Sequence, residues 1–478
     1  MEGLSQYVLG TPMFIGLLVA YHLLFFWKVY SQPFSVARSE LLSTFFPSWV
    51  HLGRGEKHDG YYWGNYCAHP VLSSYYPIHW ISSRIANKLC SLEEKFRLLI
   101  YVVLGHHAWG SIGWFILINH WSNEWVALFG SITLSYSAYN IKQQPCIAYT
   151  IGWFPWLLLG ITKGSLLLSS LSFGMILLAG YYPVGLQVFI LACLISVMPG
   201  WSPAPPFLWW VPLGLILGLP QVLPFIKYLP KTIRANKHDD IGKVPWWHFV
   251  SVFKPNRTSL NGVGYWEMQY YCGILVPILA LFSTSRVWPL LLMSASLMMG
   301  FMAAHLPRIP ARWSFTFQFA LGWMAVSGFN NCCIDSKLWL SMIVLQAFDL
   351  YWNNSKLLVT EPYSELPQRP SWAFNTPLTR YLEANLGDYR VSGLPYPLFT
   401  GHINRLRTLG YSGGMQLKLM AKWRGDTNPN GSGEHDWFKG HQDSELLDRY
   451  RVRFAVTSKK PDNWLPTPIR NLWRNPRV

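Results

Sequence analysis

The sequence predicts an all-α polytopic membrane protein, with about eleven transmembrane helices followed by a small C-terminal α+β soluble domain. Three observations predict it. Hydrophobic residues fill 51% of the 478 positions and charged residues only 13%, where soluble domains carry about 25% charged residues. Apolar runs near the roughly 20-residue length that crosses the hydrocarbon core recur from near the N-terminus to about residue 352. The chain also holds 26 Trp and 25 Tyr, more than a packed core needs, and many flank the apolar runs (Trp27, Tyr30, Trp121, Trp125, Trp209, Trp210, Tyr228, Trp352). That is the aromatic belt at headgroup level. Mean hydropathy is +0.17.

The first run, Thr11 to Tyr30, contains His22 and Lys28 and is followed by no small-residue cleavage site, so it reads as the first transmembrane helix and not as a signal peptide. A polar segment, 31–95, follows. It is too long for a simple connection, and loops of that length tend to be functional. It holds two amphipathic stretches, Ser39 to Leu52 and Ile78 to Leu89. Spans are then expected over Phe96–Ile118, Trp125–Tyr139, Ile147–Ile161, Leu166–Gly180, Val184–Met198 and Phe207–Ile226. A second polar segment, 227–266, precedes spans over Met268–Phe282, Trp288–His305, Trp313–Asn330 and Leu338–Trp352. Residues 1–352 form the transmembrane module. From 353 to 478 the chain turns rich in Arg, Asp, Asn, Gly and Pro, with a helix-like stretch at Leu378–Leu386 and strand-like patches at Tyr389–Val391 and Arg451–Thr457. An even number of crossings separates the three polar blocks, which puts them on one face. Charge leaves that face open, because the positive-inside rule is weak for long loops.

The formal charge of +16 is spread over loops beside the spans, without a nucleic-acid module. Its partners are therefore membrane lipids and other anionic phosphates, not nucleic acid. Seven Cys without CxxC pairs argue against a structural zinc site and a dense disulfide framework, though Cys67 and Cys90 share the first polar segment and are candidates to pair.

Several ionisable residues are candidates for chemistry. Glu40 opens the stretch in which Leu41, Phe45 and Trp49 are apolar at helical spacing. Either Ser39 or Glu40 caps that helix, or Glu40 is a general base directed at a substrate hydroxyl. Asp59 in the same segment suits a turn. His106, His107 and His305 are ionisable groups on apolar spans, which marks a functional cavity or hydrogen bonds inside the bundle. Glu267 and Arg312 each open a span, where they hold a phosphate, each other, or the headgroup boundary. Lys227, Lys231, Arg234, Lys237 and Lys243 crowd the second polar segment, as attraction for lipid headgroups or as a grip on the phosphate of a lipid-linked donor.

Taken in order, these residues resemble the YfhO-like bacterial membrane proteins, a branch of the GT-C glycosyltransferase superfamily. The matching runs are Glu40, Phe46-Pro47, Trp63 with Asn65, and Tyr76-Pro77; SYSAYNIKQQPCIAYTIGWFPWLLLG with Trp153 and Pro155; AGYYP with Gly180 and Pro183; and LPQVLPFIKYL ending at Leu229. Glu267 with Tyr270 and Gly273, Arg312 to Phe315, FDLYW from Phe348, DYRV from Asp388, LGYSG from Leu409 and LLDRYRVRFAVTS complete the order. The resemblance implies a GT-C-like fold in the bacterial cytoplasmic membrane, with the first polar segment and C-terminal domain extracytoplasmic. It implies a polyprenyl-phosphate sugar as donor and an envelope glycan, polymer or lipid as acceptor. Glu40 maps to the family's catalytic acid, a position where the family carries Asp. Arg312 and Glu267 map to the donor phosphate, with Lys231, Arg234 and His305 as further substrate-binding candidates. The family also carries a span beyond the C-terminal domain. Some members of the superfamily hold a divalent metal, and no cluster of ligands in this sequence compels one. The competing expectation is a catalytically silent scaffold or accessory subunit of a larger membrane complex. A transporter would show paired repeats or broken helices in matching halves, and the sequence has no such symmetry.

Overall fold

The computed structural model describes residues 2–31, 41, 45–54, 73–88, 91–141, 145–197, 208–228, 250–254, 270–284, 289–290, 293–294, 313–332, 336–358, 377–387, 390–392 and 452–455. The chain divides into two compact units. One comprises Met1–Val36, Ile100–Val222 and His238–Thr360, and the other Ala37–Leu99, Leu223–Lys237 and Glu361–Val478.

The described residues are almost all helical. In chain order the helices are α1 (Glu2–Phe25), α2 (Trp27–Ser31), α3 (Phe46–Gly53), α4 (Pro77–Ala86), α5 (Leu92–Asn119), α6 (Glu124–Tyr136) and α7 (Pro145–Thr162). Then follow α8 (Leu166–Ala179), α9 (Tyr182–Val197), α10 (Trp210–Tyr228), α11 (Leu275–Ala280), α12 (Ser314–Asn331), α13 (Ser336–Leu358) and α14 (Pro377–Asn385). Local chemistry sets several ends. A reciprocal capping box starts α5, with Ser91 N–H donating to Glu94 Oε2 and Glu94 N–H to Ser91 Oγ, both at 3.1 Å. Asn123 caps α6 through Val126 N–H (3.1 Å), and Ser165 caps α8 through Leu168 N–H (3.3 Å). Gly180, at φ +81°, ends α8 in the left-handed conformation that glycine adopts without steric cost, and Pro183 lies in the first turn of α9. The AGYYP run is thus a helix stop followed by a helix start.

Within the first unit the helices alternate in direction. α1 runs alongside α6, with Phe14 against Trp125 (4.9 Å between rings) and Tyr21 against Tyr136 (4.8 Å). α10 runs in the direction of α8, Phe173 meeting Gly214 and Leu177 meeting Gly218. α5 and α7 cross where Gly110 faces Gly152, so the backbones approach as only small residues permit in a membrane bundle. Three connections gather at one end of this unit. Lys163 Nζ donates to His120 Nδ1 (2.9 Å), Ser122 Oγ donates to Asn330 Oδ1 (2.6 Å), and Asn331 Nδ2 donates to Phe282 O (3.1 Å). The end of α6, the start of α12 and residues 270–274 lie at the other end.

Among the described residues, three helices are long and apolar enough to cross a membrane, over Glu94–Asn119, Pro145–Thr162 and Trp210–Lys227. The second is 94% buried inside the protein and the third only 22%, so α7 is an interior helix and α10 leaves most of its side chains uncovered by the protein. Shorter apolar helices cover Gly10–Phe25, Leu166–Ala179 and Tyr182–Val197. The eleven spans expected from sequence are accordingly too many for the described residues. Helix α6 has only 13 residues, and the expected span Met268–Phe282 contains a helix of just six. α13 has 23 residues but carries Gln346, Asp349, Asn353 and Asn354, which lower its apolarity. Most of the expected Trp288–His305 span lies outside the described residues.

In the second unit, α3 packs on α4, and α14 precedes two short strands, β1 (Arg390–Ser392) and β2 (Val452–Ala455), paired in parallel. The expected C-terminal α+β domain is not seen among the described residues beyond this nine-residue helix and two-strand pair. A two-stranded pair alone is too small to form an independent layer.

Candidate functional site

One face of α13 carries a group of hydrogen-bonded polar side chains. Gln346, Asp349 and Asn353 stand at i, i+3 and i+7, and that spacing stacks them on one side of a helix. They face the non-helical segment 270–274. Tyr271 Oη donates to both carboxyl oxygens of Asp349 (2.7 and 2.6 Å), and Ile274 N–H donates to Oδ2 (2.9 Å). Asn353 Nδ2 donates to Asp349 Oδ1 (2.7 Å) and lies 3.2 Å from Tyr271 Oη. One turn earlier, Gln346 Nε2 donates to Cys272 O (2.7 Å) and to Thr133 Oγ1 on α6 (3.2 Å). Gly273, at φ +105°, places its hydrogens where the Gln346 amide fills the space of a Cβ, so only glycine fits. A span is broken here because its backbone is held by α13 instead of by its own helix.

The same segment fixes the loop after α6. Ala138 N–H donates to Tyr271 O (2.9 Å), Tyr139 N–H to Gln318 Oε1 on α12 (3.2 Å), and Asn354 Nδ2 to Tyr136 O (2.8 Å). Tyr270 packs its ring edge-on to Phe317 at 5.1 Å, and Tyr139 meets Phe315 at 5.9 Å. Within the described residues, the buried Oγ atoms of Ser135, Ser137 and Ser314, and the amide oxygens of Asn140, Gln346 and Asn354, have no hydrogen-bond partner. Such groups are costly to bury unless something bonds them.

A second polar group adjoins it. His22 on α1 bridges two tyrosines, its Nδ1 3.0 Å from Tyr136 Oη and its Nε2 3.1 Å from Tyr30 Oη. A neutral imidazole donates to one and accepts from the other. Tyr21 donates to Ala347 O on α13 (2.9 Å), and the His107 ring lies 5.5 Å from Phe26 beside His22.

Glu40, Glu267, Arg312, Lys231, Arg234 and His305, the site residues expected from sequence, all lie outside the described residues, as do Asp59 and the Cys67 and Cys90 candidates. Of the remaining candidates, His106 and His107 are both buried but face different neighbours. His106 Nδ1 donates to Val102 O (2.7 Å) and its ring packs on Tyr149 at 4.3 Å, so it takes the hydrogen-bonding role inside the bundle. Asp349, Tyr271, His22 and Tyr136 carry the site and were not singled out by sequence reasoning. An acid within the expected span Leu338–Trp352 was the available signal, by the same rule that marked the two histidines. Among the described residues no three His, Cys, Asp or Glu side chains group around a point that could hold a metal ion. No protein-family model matches the chain, and no curated protein matches it either.

Proposed function

We propose that the chain is an integral membrane glycosyltransferase of the GT-C type, acting at the extracytoplasmic face of a bacterial cytoplasmic membrane. It transfers a sugar from a polyprenyl phosphate to an envelope glycan, polymer or lipid. One observation carries this reading. Residue runs that underlie the resemblance to YfhO-like proteins, scattered over 135–140, 270–273, 314–315 and 348–352, meet in a single junction of hydrogen bonds and ring contacts. Glu267 stands three residues before Tyr270, and Arg312 two before Ser314, so both proposed phosphate ligands adjoin that junction in sequence. The unpartnered hydroxyl and amide oxygens there are the kind of groups that bond sugar hydroxyls.

In the proposed step the acceptor hydroxyl oxygen attacks the anomeric carbon of the donor. The bond from that carbon to the phosphate oxygen breaks, and the polyprenyl phosphate leaves. Glu40 takes the hydroxyl proton, while Arg312 offsets the charge that develops on the leaving phosphate. The reading is tested by reconstituting the full chain in proteoliposomes with a panel of polyprenyl-phosphate sugars and measuring donor consumption and product mass. Stoichiometric release of polyprenyl phosphate with a glycosylated acceptor is expected, and Arg312→Ala should weaken donor binding as well as turnover. Donor binding without turnover, for every donor and acceptor class, would favour the silent scaffold.

A further inference from the structure

Helix α4 turns its polar side inward and its apolar side outward. His79, Ser82, Ser83 and Ala86 are buried. Trp49 Nε1 on α3 donates to His79 O (3.1 Å) and to Ser82 Oγ (3.3 Å), and the Ser83 carbonyl occupies the place where a side chain on Gly53 would begin. The outward side carries Ile78, Ile81 and Ile85, which are 39%, 49% and 55% exposed, and Trp80 at 45%. The three isoleucines stand at i, i+3 and i+7, forming one stripe. Beside them Arg84 lies over the Trp80 ring, 5.3 Å from its centroid, and Lys88 is exposed just past the helix. A helix in a water-soluble unit has the opposite arrangement.

We propose that this stripe is an interfacial membrane anchor, with α4 lying along the surface of an anionic bilayer. Ile78, Ile81 and Ile85 enter the boundary between headgroups and acyl chains, Trp80 sits at headgroup level, and Arg84 and Lys88 bind lipid phosphates. Three arguments select lipid as the occupant. α4 is joined to α5, whose Glu94–Asn119 stretch is long and apolar enough to span. The five intervening residues, 87–91, reach at most roughly 20 Å, so α4 is tethered at the membrane edge. A ten-residue helix is about 15 Å long, and one stripe of four side chains falls well short of the roughly 800 Å² per partner that a stable protein interface needs. Finally, the charges flanking the stripe are both positive, which complements lipid phosphate.

The test uses the full-length protein with its native cysteines replaced, reconstituted in phosphatidylglycerol vesicles. A spin label is placed at Ile81→Cys, at Ile85→Cys as a second reporter on the stripe, and at Asn87→Cys as the polar reference. Labels at 81 and 85 should collide more often with oxygen than with a water-soluble nickel complex, and the label at 87 should show the reverse. Arg84→Glu should make the label at 81 shallower in these vesicles. Nickel access at 81 equal to that at 87 would place the stripe in water, and closure of 81 to both reagents would show it covered by protein. Either result overturns the anchor, and depth unchanged by Arg84→Glu and by replacement with phosphatidylcholine would overturn its preference for anionic lipid.

Discussion

Replacing Asp349 with alanine removes the acceptor of three donors at once: Tyr271 Oη, Ile274 N–H and Asn353 Nδ2. Their environments set the cost. Tyr271 is only 1% exposed, so its hydroxyl cannot turn to solvent, and an orphaned buried donor costs about 1–3 kcal/mol. Ile274 is 38% exposed and Asn353 half-buried, so these two can find other partners and each loses roughly 0.5 kcal/mol. Asp349→Ala is expected to destabilise the bundle by about 2–4 kcal/mol, and Asp349→Asn, which keeps an acceptor oxygen, by about 1 kcal/mol. Tyr271→Phe removes the same bond from the other side. Unfolding titrations with sodium dodecyl sulfate, on purified protein in mixed micelles, would give the three single and double effects. A coupling energy of about 1–2 kcal/mol between Tyr271→Phe and Asp349→Ala is expected for groups in direct contact. Additivity within about 0.5 kcal/mol would show that the bond does not hold segment 270–274, and the account of that broken span would fail.

Other expectations follow from the same geometry. An added Cβ at Gly152 would lie 2.7 Å from the His106 carbonyl, whereas one at Gly105 would meet nothing within 4 Å. Gly152→Ala should therefore cost about 1–3 kcal/mol in the same titration, and Gly105→Ala should be neutral or stabilising; equal effects would refute the close helix crossing. His120 is held below the usual imidazole range by partial burial and by the charge of Lys163. Because the folded value is the lower one, the unfolded chain takes up the proton first. The stability this contact contributes is present above the ordinary histidine pKa and declines as pH falls through it. Lys163→Met should raise the His120 pKa toward its usual value, measured by histidine-resolved NMR, and no change would remove Lys163 as a cause.

Apolar length made most helices legible, because the residues that avoid water also define where a helix can run. Thus the expected Ile147–Ile161 span is α7 over Pro145–Thr162, and the expected Leu378–Leu386 stretch is α14 over Pro377–Asn385. Helix ends were less legible where polar chemistry extends them. α5 starts four residues before the expected Phe96 because Ser91 and Glu94 cap each other, a spacing visible in the sequence but outside its apolar run. The break at 270–274 was hidden for a different reason. Nothing in Met268–Phe282 signals that Asp349 and Gln346, more than 70 residues later, will hold its backbone. The ordered runs were visible in the sequence, but neither the junction they form nor the roles of Asp349 and Tyr271 in it was legible. Proximity of SYSAYN to Tyr271 and of Tyr271 to FDLYW is a property of tertiary packing, which no local spacing encodes.

The central claim is tested most directly by comparing wild type with Glu40→Gln for sugar transfer from a polyprenyl-phosphate donor in proteoliposomes, with donor binding measured in parallel. The substitution keeps the side chain's size and removes its capacity to take a proton. Binding should be unchanged and transfer should fall by about 10²- to 10⁴-fold, the effect of losing a general base. Wild-type turnover that survives intact in Glu40→Gln would take Glu40 out of the mechanism, and the absence of wild-type turnover with any donor would contradict the glycosyltransferase reading itself.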